Sequence, residues 1–222
     1  MQKSVPWFLL LALIAYACFE RPVFSLTPTI DLKDFYFTAT DYELLDSMNI
    51  IIKFEDGDGD LGLGADETYE PYHLYDILFN GDSIKIGDND TLPPYNCIDY
   101  EIIRKPYVPG TPVEADTFYV QRNDNYFNYF LDFYIKENGQ WRLYDPAIER
   151  NCSPRYHGRY FHLNTSGNER PLTGELKYGL TSGFRLLFRY DTLKVRIQIQ
   201  DRALNRSNYV ETDPFLIQDR YR

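Results

Sequence analysis

The feature that most constrains the fold is a strict alternation of apolar and polar residues near the C-terminus. Between Lys194 and Gln200 the sequence reads KVRIQIQ, so Val195, Ile197 and Ile199 share one face and the polar side chains share the other. Because successive side chains of a β-strand point to opposite faces, this period of two predicts a strand with one buried face and one polar face. Half-buried strands of this kind are typical of antiparallel sheets.

Most of the chain after residue 30 follows the same period. Further strands are predicted at Asn49–Phe54, Phe127–Ile135, Gly174–Leu180 and Phe184–Tyr190, with turn residues between them. No stretch there sustains the 3.6-residue period of an amphipathic helix for more than about two turns. The pattern therefore predicts an all-β protein.

Two of the predicted strands resemble each other. The segment Asp46–Asp56 aligns without gaps onto Asp191–Asp201. Each segment begins with Asp and a hydroxyl residue, continues with alternating apolar positions and ends on Asp. The match indicates two strands with equivalent positions in the fold.

The segment after the second of these strands carries a motif. Residues 201–212 read DRALNRSNYVET, which resembles the D-x-A-x-N-x-S ending of bacterial immunoglobulin-like and fibronectin-III-like domains. The resemblance implies an immunoglobulin-like antiparallel β-sandwich with long inserted loops at roughly 85–170. In such a sandwich the second and sixth strands run in the same direction on opposing sheets, so the chain would leave both at the same end. One elaborated sandwich over 30–222, which we adopt, and two small sandwiches sharing a sheet both fit the length.

The sharpest local feature is the acidic segment 56–62, which reads DGDGDLG. Asp56, Asp58 and Asp60 alternate with glycines, which accept the positive φ angles that a tight turn requires. Carboxylates spaced in this way converge on one point, and Ca²⁺ takes roughly six to eight oxygen ligands. We therefore predict a structural calcium site at these three residues.

The acidic segment resembles an EF-hand loop only in part. The three Asp and Glu67 fall at positions 1, 3, 5 and 12 of that loop, but Leu61 stands where the motif requires Gly, and a strand precedes it. The prediction is a calcium loop on a β-scaffold, with Glu67 and Asp201 as further candidate ligands. A solvated acidic turn that binds no metal is the alternative.

The N-terminus predicts export from the cytoplasm. Residues 1–18 read MQKSVPWFLLLALIAYAC, with Lys3 ahead of an apolar run from Val5 to Tyr16. This run has the length of a signal-peptide core and is shorter than the roughly 20 residues that cross a bilayer.

The end of that segment resembles a bacterial lipobox. Ala-Tyr-Ala-Cys, at 15–18, is similar to the relaxed lipoboxes of Bacteroidota, and IKFEDGDGDLG, at 52–62, is similar to a motif of uncharacterised lipoproteins from that phylum. The resemblance implies a signal peptide over 1–17, lipidation of Cys18, a tether over 18–29 and a place at the outer membrane, on either face. An ordinary secretory signal with a coincidental Cys is the alternative.

Two cysteines remain if Cys18 carries lipid. Cys97 and Cys152 form an even pair in an oxidising compartment, which predicts a disulfide between them. Two separate thiols are the alternative.

Composition narrows the function classes. A net charge of −10 argues against nucleic acid as a partner, because phosphate binding requires a basic surface. His157 and His162 lack a third residue for a zinc site, and no nucleophile–base pair is evident, so we predict a protein that is not an enzyme. We expect an accessory or interaction subunit of an outer-membrane β-barrel complex. The alternative is a glycan-binding surface lipoprotein, since aromatic residues make up 17% of the chain.

Overall fold

The computed structural model describes residues 23–42, 45–76, 84–106, 108–165 and 167–222. The predicted signal peptide, the lipidation at Cys18 and the first part of the tether lie outside the described residues. In the part of the chain that is described, no helix is both long enough and apolar enough to cross a bilayer.

The described residues are mostly β-structure, which confirms the all-β prediction. The strands are β1 (Thr29–Thr38), β2 (Ser47–Asp56), β3 (Tyr75–Asp76), β4 (Tyr100–Arg104), β5 (Ala115–Tyr119), β6 (Gln121–Arg122), β7 (Tyr129–Glu137), β8 (Gln140–Tyr144), β9 (Leu172–Thr181), β10 (Thr192–Ile199), β11 (Val210–Glu211) and β12 (Phe215–Leu216). Two short helices, α1 (Pro146–Glu149) and α2 (Phe184–Leu187), and 3-10 turns at Asp124–Tyr126 and Ile217–Arg220 complete these elements.

Two antiparallel sheets form the body of the protein. One has the order β1-β2-β9, and the other has the order β11-β10-β7-β8, with β12 also paired to β10. The two strands with matching sequences, β2 and β10, therefore lie in different sheets. The small sheets β3-β6 and β4-β5 are built from the insertion that precedes β7.

Alternate residues of both sheets form one core. The inward positions of the two central strands are apolar and buried: Met48, Ile50, Ile52 and Phe54 on β2, and Leu193, Val195, Ile197 and Ile199 on β10. Each fully buried aliphatic side chain of this kind stabilises the fold by about 1.5–3 kcal/mol. Tyr129 of β7 stacks on Tyr178 of β9 with ring centroids 4.1 Å apart, so the two sheets also touch through aromatic rings.

The polar face of β10 differs from the prediction. Gln198 and Gln200 are buried rather than solvated, because the chain folds back over this face after the strand ends. Gln198 Nε2 donates to the carbonyl of Ser207 at 2.7 Å, and the Ser207 hydroxyl accepts from the Ile199 amide at 3.1 Å. The end of β10 is therefore covered on both sides.

The strand predicted at Phe184–Tyr190 is wrong, since this segment begins with helix α2. Phe184 and Phe188 are both fully buried, and both pack on Phe133 of β7 with ring centroids 5.6 and 5.2 Å away. Phe184 and Phe188 are four residues apart and therefore share one face of a helix. The same spacing also fits the period of two of a strand, which is why the sequence predicted one. The strands predicted at Asn49–Phe54 and Gly174–Leu180 are confirmed.

The predicted disulfide is present. Cys97 and Cys152 are bonded with their Cα atoms 5.5 Å apart and stand 55 positions apart in the sequence. The bond ties the insertion that carries β4 and β5 to the segment after α1.

We expect loss of this disulfide to cost stability. Replacing Cys97 and Cys152 together by Ala should lower the free energy of unfolding by about 2–4 kcal/mol, because the open loop gives the unfolded chain more freedom. Urea denaturation followed by circular dichroism measures the loss, and reduced wild-type protein should reproduce it. An unchanged midpoint in both samples would contradict the expectation.

A buried polar cluster lies just before β2. Asp46 is fully buried, and its carboxylate accepts from the Thr40 amide at 2.9 Å, from Arg185 Nε at 2.8 Å and from the Tyr221 hydroxyl at 2.7 Å. Burial opposes ionisation of Asp46, but these partners outweigh it and hold its pKa below the ordinary value of 3.8. The cluster joins the start of β2 to α2 and to the C-terminus.

Asp46→Asn should therefore destabilise the protein by about 2–3 kcal/mol at neutral pH, because it removes the negative charge from the buried ion pair between Asp46 and Arg185. A carboxyl whose folded pKa is depressed contributes stability above pH 3.8 and loses it as the pH falls through the folded value. The gap between wild type and variant in urea should be constant from about pH 5 to 8 and close below about pH 4. The exposed control Asp31→Asn should stay within about 0.5 kcal/mol of wild type throughout; a gap that persists at low pH would refute this account.

Candidate metal centre

The last residue of β2 is an acid in a core position. Asp56 continues the inward alternation of Ile50, Ile52 and Phe54, and it is fully buried. At a position where the pattern predicts an apolar side chain, the strand therefore places a carboxylate at the end of the core.

The turn after β2 brings two more carboxylates to Asp56. One ligand oxygen from each of Asp56, Asp58 and Asp60 lies within 4.8 Å of the other two. Two glycines permit this path: Gly59 has φ +71° and Gly62 has φ +105°. The convergence predicted from the alternating Asp and Gly residues is confirmed.

Four oxygens of this group are buried without a hydrogen-bond partner among the described residues. They are both carboxylate oxygens of Asp56, Oδ1 of Asp58 and Oδ1 of Asp60. Asp60 Oδ2, by contrast, accepts from the Ala203 amide at 3.0 Å. A buried polar atom without a partner costs free energy, and a buried charge without one costs much more.

The electrostatics of the group reflect this burial. Burial and the nearby carboxylates of Asp58, Asp60 and Asp201 raise the pKa of Asp56 to about 7, against a smaller opposing effect of the Gly59 amide, which lies outside hydrogen-bond geometry. Burial and the carboxylates of Asp201 and Asp58 raise the pKa of Asp60 to about 6. The protein by itself therefore supplies too little positive charge to this group.

Backbone contacts from distant segments hold the turn in place. The Gly57 amide donates to the carbonyl of Ser25 at 2.8 Å, and the Arg170 amide donates to the carbonyl of Asp58 at 2.9 Å. The Leu63 amide donates to the carbonyl of Tyr160 at 3.0 Å. The site is thus fixed by the fold rather than left as a free turn.

Asp201 lies beside the group, on the other sheet's exit loop. A β-bridge pairs Leu61 with Asp201, so the chain does leave β2 and β10 at the same end, as predicted. The Asp201 carboxylate accepts from the amide and the side-chain nitrogen of Asn205, at 2.7 and 2.9 Å. Burial raises its pKa, with Asp58 adding to the shift.

Glu67 is held by basic partners. Its carboxylate accepts from Arg202 Nη2 at 2.6 Å and from the Gly64 amide at 2.5 Å, and it lies 3.0 Å from His162 Nε2. The structure thus places Glu67 and Asp201 outside the group of three Asp residues, and their role as ligands stays a prediction.

Solvent reaches the group from one side. An open cleft of about 430 Å³ is lined by Asp58 and Asp60 on one side, and by His162, Glu169 and Arg202 among others. A bound cation could complete its coordination with water from this cleft.

His157 and two of the aromatic residues of the β7-β8 hairpin are engaged in packing. His157 accepts the Leu131 amide on Nδ1 at 3.1 Å and lies against the rings of Phe127 and Phe130. The rings of Tyr134 and Trp141 lie beside Lys194, whose Nζ is 5.3 and 5.4 Å from their centroids. These contacts leave less ring surface for a sugar.

Sequence reasoning missed the residues that support the turn. Burial and the charges of Asp56, Asp201 and Asp60 raise the pKa of the Tyr160 hydroxyl. No pattern in the sequence around Tyr160 connects it to the acidic segment. Arg202 follows Asp201 directly, but nothing in the sequence connects it to Glu67, from which it is separated by 135 residues.

Comparisons with protein-family models, with curated proteins and with solved structures find no match to this chain.

The turn should tolerate no side chain at Gly62. A Cβ there would lie 2.3 Å from the carbonyl oxygen of Phe161, in addition to the strain of φ +105°. Gly139→Ala, at φ +81° with nothing within 4 Å, is the matched control for backbone strain alone. We expect about 1–2 kcal/mol of destabilisation for Gly139→Ala and clearly more for Gly62→Ala in urea unfolding; equal losses would show that the close approach does not matter.

Proposed function

We propose that this chain is a non-catalytic, membrane-anchored lipoprotein that acts as an accessory subunit of an outer-membrane β-barrel complex for assembly, secretion or uptake. The observation that carries the proposal is the surface of the insertion before β7. Exposed aliphatic residues concentrate there: Ile86, Ile98, Ile102, Ile103, Val108 and Val113. Contiguous exposed apolar patches mark interaction sites, and six exposed aliphatic residues within one insertion favour such a patch here.

The β4-β5 hairpin carries two of these residues. Ile102 and Ile103 are neighbours on β4, so they face opposite sides of the hairpin, and both are exposed. Among the described strands β4 pairs only with β5, and no described strand covers its other edge. Because a free edge offers unpaired amides and carbonyls, it can accept a strand from a partner, and the isoleucines would add apolar contacts.

The anchor fits the same proposal. Residues 24–25 rest on Gly57, at the end of the sandwich that carries the acidic turn. Cys18 and Phe24 are six positions apart in the sequence, and a chain of this length reaches roughly 20 Å when extended. A lipidated Cys18 would therefore hold that end of the domain next to the membrane, where a barrel partner lies.

The finer fold belongs to the proposal as well. We assign an immunoglobulin-like sandwich with long insertions, in which β2 and β10 take the places of the second and sixth strands. Their position in opposing sheets and the meeting of their exit loops at Leu61 and Asp201 support this assignment.

Affinity purification tests the function. Tagged wild-type protein, extracted in mild detergent, should retain an outer-membrane barrel protein. The double variant Ile102→Ser, Ile103→Ser should lose about tenfold or more of it, since central apolar contacts dominate such interfaces. Ile148→Ser, on α1 and even more exposed to solvent, is the control and should behave as wild type.

Two outcomes would reject this function. Wild-type protein that retains no barrel protein would contradict the partner, and equal retention by the double variant would contradict the hairpin as the contact. Binding on a glycan array without a barrel partner would instead favour the glycan-binding alternative.

A further inference from the structure

We propose that Asp56, Asp58 and Asp60 bind one Ca²⁺, and that this ion fastens the N-terminal segment 24–25 to the sandwich. The proposal concerns described residues alone and does not depend on the lipid anchor or on the barrel partner.

The first observation is the convergence of three carboxylates on one point, described above. Acidic clusters on protein surfaces often bind nothing, so convergence is not sufficient. The second and independent observation is the state of Asp56, which is fully buried while both of its carboxylate oxygens lack a partner among the described residues. A folded chain does not keep such a group in its core unless something compensates it.

The donor set selects the kind of ion. All four unpartnered atoms are carboxylate oxygens, which suit hard cations, whereas Zn²⁺ favours nitrogen and sulfur ligands. Ca²⁺ accepts irregular arrangements of roughly six to eight oxygens, while Mg²⁺ demands a near-ideal octahedron. Four protein oxygens, with water from the cleft beside Asp58 and Asp60, fit the larger ion.

The turn is also formed in advance. Hydrogen bonds to Ser25, Tyr160 and Arg170 fix its backbone, and Ala203 holds the second oxygen of Asp60. A site whose ligands are held by the fold loses little entropy when the ion binds.

The same turn carries the N-terminal segment. The Gly57 amide donates to the Ser25 carbonyl at 2.8 Å, and a Cβ on Gly57 would lie 2.7 Å from the carbonyl oxygens of both Phe24 and Ser25. Gly57 lies between two of the ligands, so repulsion among the carboxylates would move the surface on which this segment rests. Binding of the ion should therefore hold residues 24–25 in place.

Calorimetry and thermal unfolding of the full chain in mild detergent test the site. After chelation with EGTA, titrated CaCl₂ should bind once per chain. At one hundred times its dissociation constant it should raise the melting temperature by roughly 5–10 °C. Asp58→Asn and Asp60→Asn should each weaken binding about tenfold or more, whereas Asp66→Asn, an exposed acid outside the group, should not.

For the ligand variants, the difference in melting temperature from wild type should also change sign between EGTA and Ca²⁺. In EGTA, Asp60→Asn should melt at or above wild type, because one repelling charge is gone; in Ca²⁺ it should melt below. A carboxylate with a merely structural role would give the same sign in both conditions.

Chymotrypsin tests the fastening of the N-terminal segment. Cleavage after Phe24 should be about tenfold slower in Ca²⁺ than in EGTA for wild type, and equally fast in both for Asp58→Asn. Identical melting curves in EGTA and Ca²⁺ would overturn the site, as would ligand variants that bind Ca²⁺ like wild type. An equal shift with MgCl₂ would overturn the choice of ion, and Ca²⁺ binding without protection of Phe24 would overturn the fastening.

Discussion

A buried aspartate lies at each end of β2, and the two differ in their hydrogen-bond partners. Asp46, just before β2, is surrounded by donors from Thr40, Arg185 and Tyr221. Asp56, the last residue of β2, is equally buried and has no hydrogen-bond partner among the described residues. The protein thus satisfies one buried carboxylate completely and gathers further carboxylates around the other. This contrast is the constraint on which the architecture of that end of the sandwich depends.

Several distant segments of the chain contact the turn that follows Asp56. The bridge between Leu61 and Asp201 joins the exit loops of the two sheets, and Ser25, Tyr160 and Arg170 contact the turn through their backbones. Glu67 adds an ion pair with Arg202 just beyond it. A cation bound by the three Asp residues would neutralise the repulsion between their carboxylates, in the turn that these segments contact. The β4-β5 hairpin and its exposed isoleucines belong to the insertion before β7, which is separate in sequence from that junction.

Much of this could be predicted from the sequence because it depends on local pattern. The period of two predicted β2 and β10, and the DGDGD spacing predicted the convergence of carboxylates, whereas the burial of Asp56 at an inward position of β2 was not predicted. The remainder depends on tertiary contacts. The apolar residues from Phe184 onward fit both the strand period and the helix period, and only the contacts of Phe184 and Phe188 with Phe133 decide for a helix. Gln198 is buried because the chain folds back after β10 and brings the Ser207 carbonyl to its side chain.

The central claim is that an ion compensates Asp56, and diffraction from crystals grown with calcium tests it most directly. The account predicts an anomalous-difference peak among Asp56, Asp58 and Asp60, with their oxygens at about 2.3–2.6 Å from it. Crystals at saturating calcium in which the Asp56 carboxylate instead contacts only water or protein donors, with no peak at the site, would contradict the account.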